Sequence, residues 1–425
     1  MMSNKAWMML SGKELRIGDV IRVAVTSMVL GLAGFGGIHP HGLRVLLDLA
    51  QCALGYFGYY QLQCDRCRGQ VWAGRTCGNR HCPSCGHAKG ERWVKERESE
   101  LLLTSYFHVV FTIPGQLRDL VEENMAVLYE LHFKVVRETL KDFAKDPKFL
   151  GATPSILMVL HTWNQRLDFH PHIHCLVSGG GWDHSVSRWV SGSNPDYLFP
   201  VAAMRIVYRA KYLAGLKKLY KKGELSLGYR SNAPFEEASA WTAFVSELYA
   251  TDWIVYAKKP FAGPLQVLRY LARYTHRTAI SNSRLEHLEN DMVTFRYKNR
   301  RSKQTLRRTV PVATFIYLFS RHILPKNFCR IRRCGLLSGT KSDELRASQQ
   351  QLREENLITS IRDQLLPQAA LTPEIRPQAK CPHCELGNLV LILSLVPVKR
   401  ILSLEQMPLP PPDASGTWSA FRDVA

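Results

Sequence analysis

Between Cys64 and His87 lie five cysteines and two histidines in a stretch with almost no apolar periodicity. A segment of that kind buries too little apolar surface to order itself, so something else must hold it. Its order is Cys64-Asp65-Arg66-Cys67, then Cys77, then His81-Cys82-Pro83-Ser84-Cys85 and His87. Two Cys-x-x-Cys knuckles fourteen residues apart match the spacing at which two tight turns present four thiolates tetrahedrally to zinc. Cys64, Cys67, Cys82 and Cys85 are therefore expected to hold a structural zinc, against the alternative of unrelated buried thiols. Cys77 and His81 are placed to replace a ligand or to hold a second ion. A nucleobase deaminase is excluded, because it needs His-x-Glu ahead of Pro-Cys-x-x-Cys and the order here is Cys-Pro-x-Cys.

The metal reading depends on compartment. No N-terminal segment combines a charged region, a long apolar region and a cleavage site, so the chain is expected in the cytoplasm, where eleven cysteines do not build a disulfide framework. The longest apolar runs, near Val25–Ile38 and Leu386–Val398, fall short of the ~20 residues that span a bilayer, and no membrane partner is expected. Lys and Arg number 56 against 36 Asp and Glu, a formal net charge of +20 that favours a polyanion. The basic residues cluster, as in Arg296–Lys303 and Arg330–Arg333, which points to nucleic acid rather than to solubility alone.

Hydrophobic periodicity divides the rest. Residues 1–60 read as a helical lead-in, 61–104 as the metal-held module with its exit helix, 105–339 as an α+β domain, 340–380 as a polar helix and linker, and 381–425 as a Cys-x-x-Cys segment with a disordered tail. Within the α+β domain, strands are expected at Tyr106–Thr112, Ser155–Trp163 and His172–Ser178, with one long helix over Gln116–Lys145. The short stretch Asn164–Pro171 turns the chain, so the last two strands should pair antiparallel.

On such a strand His172 and His174 project from one face while Ile173 enters the core. His161, eleven residues earlier on the partner strand, is expected opposite them as a third imidazole at a metal. Hydrogen-bonded core histidines are the bland alternative, and His170 is left beside the site. Further on, Tyr270-Leu-Ala-Arg-Tyr274 sets two phenols one helical turn apart, with Arg269, Arg273 and Arg277 at matching spacing, which suits a helix laid along a phosphate backbone. An aromatic stripe against a core is the alternative for the tyrosines.

Taken together, His-hydrophobe-His followed by a paired-tyrosine helix resembles the HUH endonuclease superfamily. The order of a Cys-rich module, YFHVVFTIP at Tyr106–Pro114, HTWNQRLDFHPHIHCLVSGGG at His161–Gly181 and YLARYTHR at Tyr270–Arg277 resembles the two-tyrosine rolling-circle transposases of bacterial insertion sequences, the insertion-sequence-ninety-one type. The likeness covers roughly Ile17–Gly339. It implies an HUH-type antiparallel sheet with flanking helices, preceded by a small helical and zinc-ribbon-like module. It implies that His172 and His174, with His161 by analogy to relaxases, bind Mg or Mn, that the cysteine module binds Zn, and that Tyr270 and Tyr274 are nucleophiles. The implied partners are single-stranded or hairpin DNA at element ends and target DNA. Rival readings are a rolling-circle replication initiator, a nuclease that activates water and a zinc-ribbon regulator without catalysis. The oligomeric state stays open, as does the role of Cys381-Pro382-His383-Cys384, which is either half of a second zinc site with Cys329 and Cys334 or without a metal role.

Overall fold

The computed structural model of the chain describes residues 15–29, 38–194, 198–227, 235, 237–258, 278–299, 302–363 and 381–396. Two helices come first, α1 (Ile17–Val29) and α2 (Pro40–Ala50), followed by β1 (Tyr59–Cys64), β2 (Gln70–Gly74) and α3 (Pro83–Arg97). Next are β3 (Tyr106–Thr112), the short α4 (Arg118–Glu123), the long α5 (Met125–Lys145), β4 (Thr153–Trp163), β5 (Phe169–Asp183) and β6 (Arg188–Ser191). α6 (Val201–Lys221), α7 (Ala238–Ala250) and β7 (Ile254–Lys258) precede β8 (Leu285–Glu289), β9 (Met292–Lys298) and β10 (Thr305–Pro311). α8 (Val312–Ser320), β11 (Ile331–Gly335), α9 (Ser342–Asp363) and β12 (Leu389–Leu395) follow.

The chain divides into two compact units, and neither is continuous in sequence. One draws on residues 1–89, 276–323 and 368–425, the other on 90–275 and 324–367. The linear division expected above is thus cut differently: residues 276–323 leave the 105–339 segment, and the C-terminal Cys-x-x-Cys segment joins the cysteine module.

The second unit is the α+β body. Its sheet runs β11-β4-β5-β3-β7 with β6 added on β5, and every pair is antiparallel. Alternation along β5 explains the layers: Ile173, Cys175 and Val177 face a core shared with α5, α6 and α7, where Tyr208, Tyr212 and Leu216 recur at four-residue spacing on α6. Leu176 looks the other way, into a smaller cluster with Tyr106, Leu157, Trp189 and Leu352 of α9. The β4–β5 turn is an Asx turn: the Asn164 side chain accepts from the backbone N–H of Arg166 at 2.8 Å and Asp168 at 3.1 Å, with Leu167 at φ 64°.

The helix expected over Gln116–Lys145 is broken at Asn124. That buried side chain donates to the carbonyls of Leu120 at 3.0 Å and Ser226 at 2.9 Å and accepts from the Ser226 N–H at 2.7 Å, so it serves a neighbouring loop instead of continuing the helix. The basic cluster Arg330–Arg333 leads into and forms an edge strand. Arg332 forms a bidentate pair with Glu130 and lies 4.1 Å from the Phe133 ring centre, while Arg333 reaches Glu100 at 2.8 Å. Both charges have partners within the unit, which removes their weight from the nucleic-acid argument.

In the first unit, β12-β1-β2 form one three-stranded sheet and β10-β9-β8 another. Asn282 ties the second sheet to the N-terminal helices, accepting from the Ile17 N–H at 3.2 Å and donating to the Ser84 hydroxyl at 3.0 Å. Phe295 of β9 packs edge-on against Phe315 of α8, both fully buried.

Candidate metal centres

β5 lies between β4 and β3, and its register decides what meets on the face turned away from the main core. His172 stands opposite His161 of β4 and Thr112 of β3, and His174 opposite Val159 and Val110. Rings of His161, His172 and His174 come within 4.6 to 5.6 Å of one another, and one nitrogen from each lies within 4.8 Å of the others. All three are buried. Three imidazole nitrogens converging on one point, with no carboxylate in the group, form a donor set that by itself suits zinc or another divalent transition metal.

The nitrogen each ring offers is set by its other hydrogen bond. His172 Nδ1 lies 2.6 Å from the His170 carbonyl oxygen, which can only accept, so Nδ1 carries the proton and Nε2 the lone pair. His170 thus serves through its backbone. His174 Nδ1 lies 2.8 Å from His108 Nε2. Burial first, then the nearby Lys258 charge, holds His108 down at about 4, so it is neutral near pH 7 and able to accept from His174. His108 was missed in the sequence, although it sits in the YFHVVFT strand. Its parity on β3 puts it on the same face as Thr112, but the register that brings it to His174 cannot be read from spacing.

On the opposite, core side of the sheet, His132 of α5 is fully buried beside Tyr208 and Tyr212. Burial, reinforced by His172, pushes it down to about 3, so it too is neutral.

The cysteines regroup. Cys64 and Cys67 do not meet Cys82 and Cys85, and the expected single site is corrected to two clusters. Cys82 and Cys85 gather with Cys77 and with Cys52, at Sγ–Sγ separations of 3.6 to 3.8 Å. Cys64 and Cys67 gather instead with Cys381 and Cys384. The reason is topological: β1 and β2 carry the first knuckle to a hairpin end that faces the C-terminal segment, while the second knuckle opens α3. Cys52 was missed because it follows the apolar periodicity of α2 and has no partner at knuckle spacing. His81 is buried but stands outside both clusters. Cys329 and Cys334, the suggested partners of Cys381 and Cys384, lie in the other unit; Cys334 is in the β11 core and Cys329 donates to the Ile331 carbonyl at 2.9 Å.

In the first cluster, hydrogen bonds from Cys52, Cys77 and Cys82 hold Cys85 well below the ordinary thiol range, and Cys77 and Cys82 are raised in turn. Four sulfurs so close favour one thiolate at the expense of the next, and a cation among them removes that conflict. In the second cluster, N–H groups of Gly387 and Leu386 draw Cys384 down to about 6.

Tyr270, Tyr274, Arg269, Arg273 and Arg277 lie outside the described residues, as do Arg300 and Arg301. Tyr297 is half-buried on β9, and Arg296 beside it pairs with Glu286 at 3.3 Å.

A family model described as a putative transposase matches residues 155–344, and one described as a transposase zinc-binding domain matches residues 32–113. The putative transposase y4qJ of Sinorhizobium fredii is 36% identical over 358 residues, which span 82% of this chain and 88% of that protein. The transposase for insertion sequence element IS801 of Pseudomonas savastanoi pv. phaseolicola is 26% identical over 309 residues, 71% of this chain and 72% of that protein. Among solved structures, the conjugative relaxase TrwC in complex with oriT DNA aligns at 15% identity over 40% of this chain and 71% of that one, with a TM-score of 0.22, too low to bear on the fold. The three histidines and both tyrosines fall inside the first matched region, and Cys52, Cys77, Cys82 and Cys85 inside the second. Cys381 and Cys384 fall outside both.

Proposed function

Because the chain belongs to the family of IS91-type insertion-sequence transposases, with that family's zinc-binding domain ahead of the catalytic region, we propose that it nicks and rejoins single-stranded DNA at its element's ends through a tyrosine ester. The observation that carries this reading is the buried triad of His161, His172 and His174 on the face of the central sheet turned away from the main core, with the His172 tautomer set by the His170 carbonyl. A divalent cation bound there, Mg or Mn in this reading, supplies a Lewis acid toward a non-bridging oxygen of the scissile phosphate.

The chain's own part is the nucleophile. The phenol oxygen of Tyr270 or Tyr274 attacks phosphorus; an O–P bond forms as the P–O3′ bond breaks, and the phenol proton ends on the released 3′-hydroxyl. Phenol ordinarily ionises near ~10, and Arg273 and Arg277, at helical spacing from the tyrosines, favour the phenolate. The ester stores the bond energy for rejoining, so the reaction needs no nucleotide. Two phenols four residues apart in sequence allow a second cleavage before the first ester is resolved, which suits transfer of one strand from donor to target DNA. A net charge of +20 fits hairpin or single-stranded DNA as substrate, and we place the activity at the nucleoid in the bacterial cytoplasm. Among the described residues no helix is long and apolar enough to cross a membrane.

The cluster Cys52, Cys77, Cys82 and Cys85 is assigned to the zinc of the matched domain in the same reading. The test uses purified full-length protein and labelled single-stranded oligonucleotides from its element's flanks, with and without Mg or Mn. A metal-dependent protein–DNA adduct on a denaturing gel, lost in Tyr270→Phe/Tyr274→Phe, is expected. Cleavage without an adduct would replace the tyrosine step by water attack, and DNA binding without cleavage would remove the catalytic reading.

A further inference from the structure

We propose that Cys64, Cys67, Cys381 and Cys384 form a second zinc centre, built from both ends of the chain, whose ion holds the C-terminal strand on the N-terminal hairpin. It is independent of the catalytic reading; Cys64 and Cys67 lie within the matched zinc-binding domain, which ends at residue 113, and Cys381 and Cys384 lie far beyond it.

The two halves are copies of one local design. Each is Cys-x-x-Cys followed by a residue in the left-handed region, Arg68 at φ 61° and Glu385 at φ 56°. In each, the N–H of that residue donates to the carbonyl of the first cysteine, Arg68 to Cys64 at 3.2 Å and Glu385 to Cys381 at 2.8 Å. In each, the first cysteine's own N–H returns to a glycine carbonyl, Cys64 to Gly69 and Cys381 to Gly387, both at 2.9 Å. Backbone N–H groups also point at the sulfurs: those of Arg66 and Cys67 at Cys64, of His383 at Cys381 and of Gly387 at Cys384, all at 3.4 Å. A neutral thiol is a weak acceptor, and N–H groups aimed at sulfur in this way are what stabilise a thiolate.

The sulfurs are spaced for an ion. Cys64 Sγ lies 3.7 Å from Cys384 Sγ, and Cys67 Sγ lies 3.6 Å from Cys381 Sγ. A tetrahedron with Zn–S bonds of ~2.3 Å has edges of about 3.8 Å. These separations are far beyond a disulfide's ~2.05 Å. Gly387 packs so closely that a side chain there would strike Cys64 Sγ, and one at Gly69 would meet the Cys67 sulfur and the His383 ring. Four soft thiolates with no carboxylate in the set suit zinc rather than magnesium.

The surroundings show why an ion is needed. β12 pairs with β1 from Leu389 to Leu395 with one register shift, and Asp65 clasps Asn388: its N–H donates to the Asn388 carbonyl, and its carboxylate accepts from the Asn388 backbone N–H and side-chain amide. Yet the buried apolar set beneath is small, Leu62, Val71 and Leu389 with Cys64 and Cys381, while Val390, Leu391, Ile392 and Leu393 stay exposed. Bringing together residues 314 and 320 positions apart costs loop entropy that so small a core does little to offset. Four metal–sulfur bonds made only in the folded state supply the difference, with the ligands losing their protons to solvent as the ion binds.

The experiment is zinc analysis of purified full-length protein, washed with a weak chelator to clear the histidine site, beside Cys381→Ser/Cys384→Ser and the control Cys329→Ser. Two zinc ions per chain are expected in wild type and in the control, and one in the double variant, whose β12 amides exchange hydrogen faster. Equal zinc in wild type and double variant would overturn the proposal. Should the variant fail to fold, wild type is titrated with a strong chelator under differential alkylation. Cys64, Cys67, Cys381 and Cys384 should become reactive together, at one chelator concentration and after the exposed Cys329. Alkylation of Cys381 and Cys384 before any chelation, or protection of these four that yields to a reductant but not to a chelator, would also overturn it.

Discussion

The histidine centre and the cysteine centres both gather cation-binding side chains, but they are built in opposite directions. His161, His172 and His174 ride on two neighbouring strands whose other faces carry Ile173, Cys175 and Val177 into a large core. The sheet would stand without the ion, and the fold positions the ligands. Around Cys64, Cys67, Cys381 and Cys384 little else is buried, so there a bound ion would position the fold. One site is chemistry placed on a scaffold, and the other is the scaffold.

The sharpest way to break that contrast is to remove one ligand from each side. His172→Ala should lower DNA cleavage by roughly 10³-fold or more, about 4 kcal/mol in the barrier, by removing electrostatic stabilisation of the transition state. Its chemical unfolding, followed with chelator present, should stay within about 1 kcal/mol of wild type. Cys52→Ser should do the reverse at the level of folding: loss of one zinc and of hydrogen-exchange protection across residues 38–89, because structural zinc binding is folding free energy of order 10 kcal/mol. A Cys52→Ser protein with unchanged zinc content and protection would erase the distinction.

What was legible in the sequence follows the same divide. The α+β class and the antiparallel β4–β5 pair were readable because period-two burial and an Asn164 turn are local signals. The pairing of His161 with His172 follows once the turn length is known. The cysteine grouping was not readable, since two knuckles in one short stretch look like one site and nothing in their spacing shows that Cys64 and Cys67 face a segment more than 300 residues away. Cys52 was hidden inside an apolar helical pattern. Charge misled in its own way: Arg332 and Arg333 counted toward a nucleic-acid surface, whereas Glu130 and Glu100 hold them.

The sheet's self-sufficiency has a titratable signature in His132, on its core side. The unfolded value is near ~6.5 and the folded one about 3, so the unfolded chain takes up the proton first. Stability from keeping His132 neutral is fully present above pH ~6.5 and is lost as pH falls toward 3. Between pH 7 and pH 4 this amounts to about 3 kcal/mol. His132→Leu should therefore show a loss of stability over that range smaller by about that amount, read from urea midpoints at the two pH values. Equal acid sensitivity in variant and wild type would mean that the ring is hydrated in solution and not part of the core.

The smallest expected effect probes how far the scaffold tunes its ligands. His108 Nε2 lies 2.8 Å from His174 Nδ1, and when His174 turns Nε2 to a cation its Nδ1–H donates to His108, which keeps the ring in that tautomer. His108→Leu removes that acceptor in a buried place, so the His174 ring is free to turn or to take the other tautomer. Loss of a partner of this kind typically weakens metal affinity by about 10- to 100-fold. The expected result is a Mn concentration for half-maximal cleavage raised by that factor, with the rate at saturating Mn little changed. His108→Gln, whose side-chain carbonyl can still accept, should recover most of the affinity. A rate that stays low at saturating Mn would put His108 in the chemistry itself. Wild-type metal dependence in His108→Leu would show that strand packing alone orients His174, which would make the sheet still more self-sufficient than its hydrogen bonds suggest.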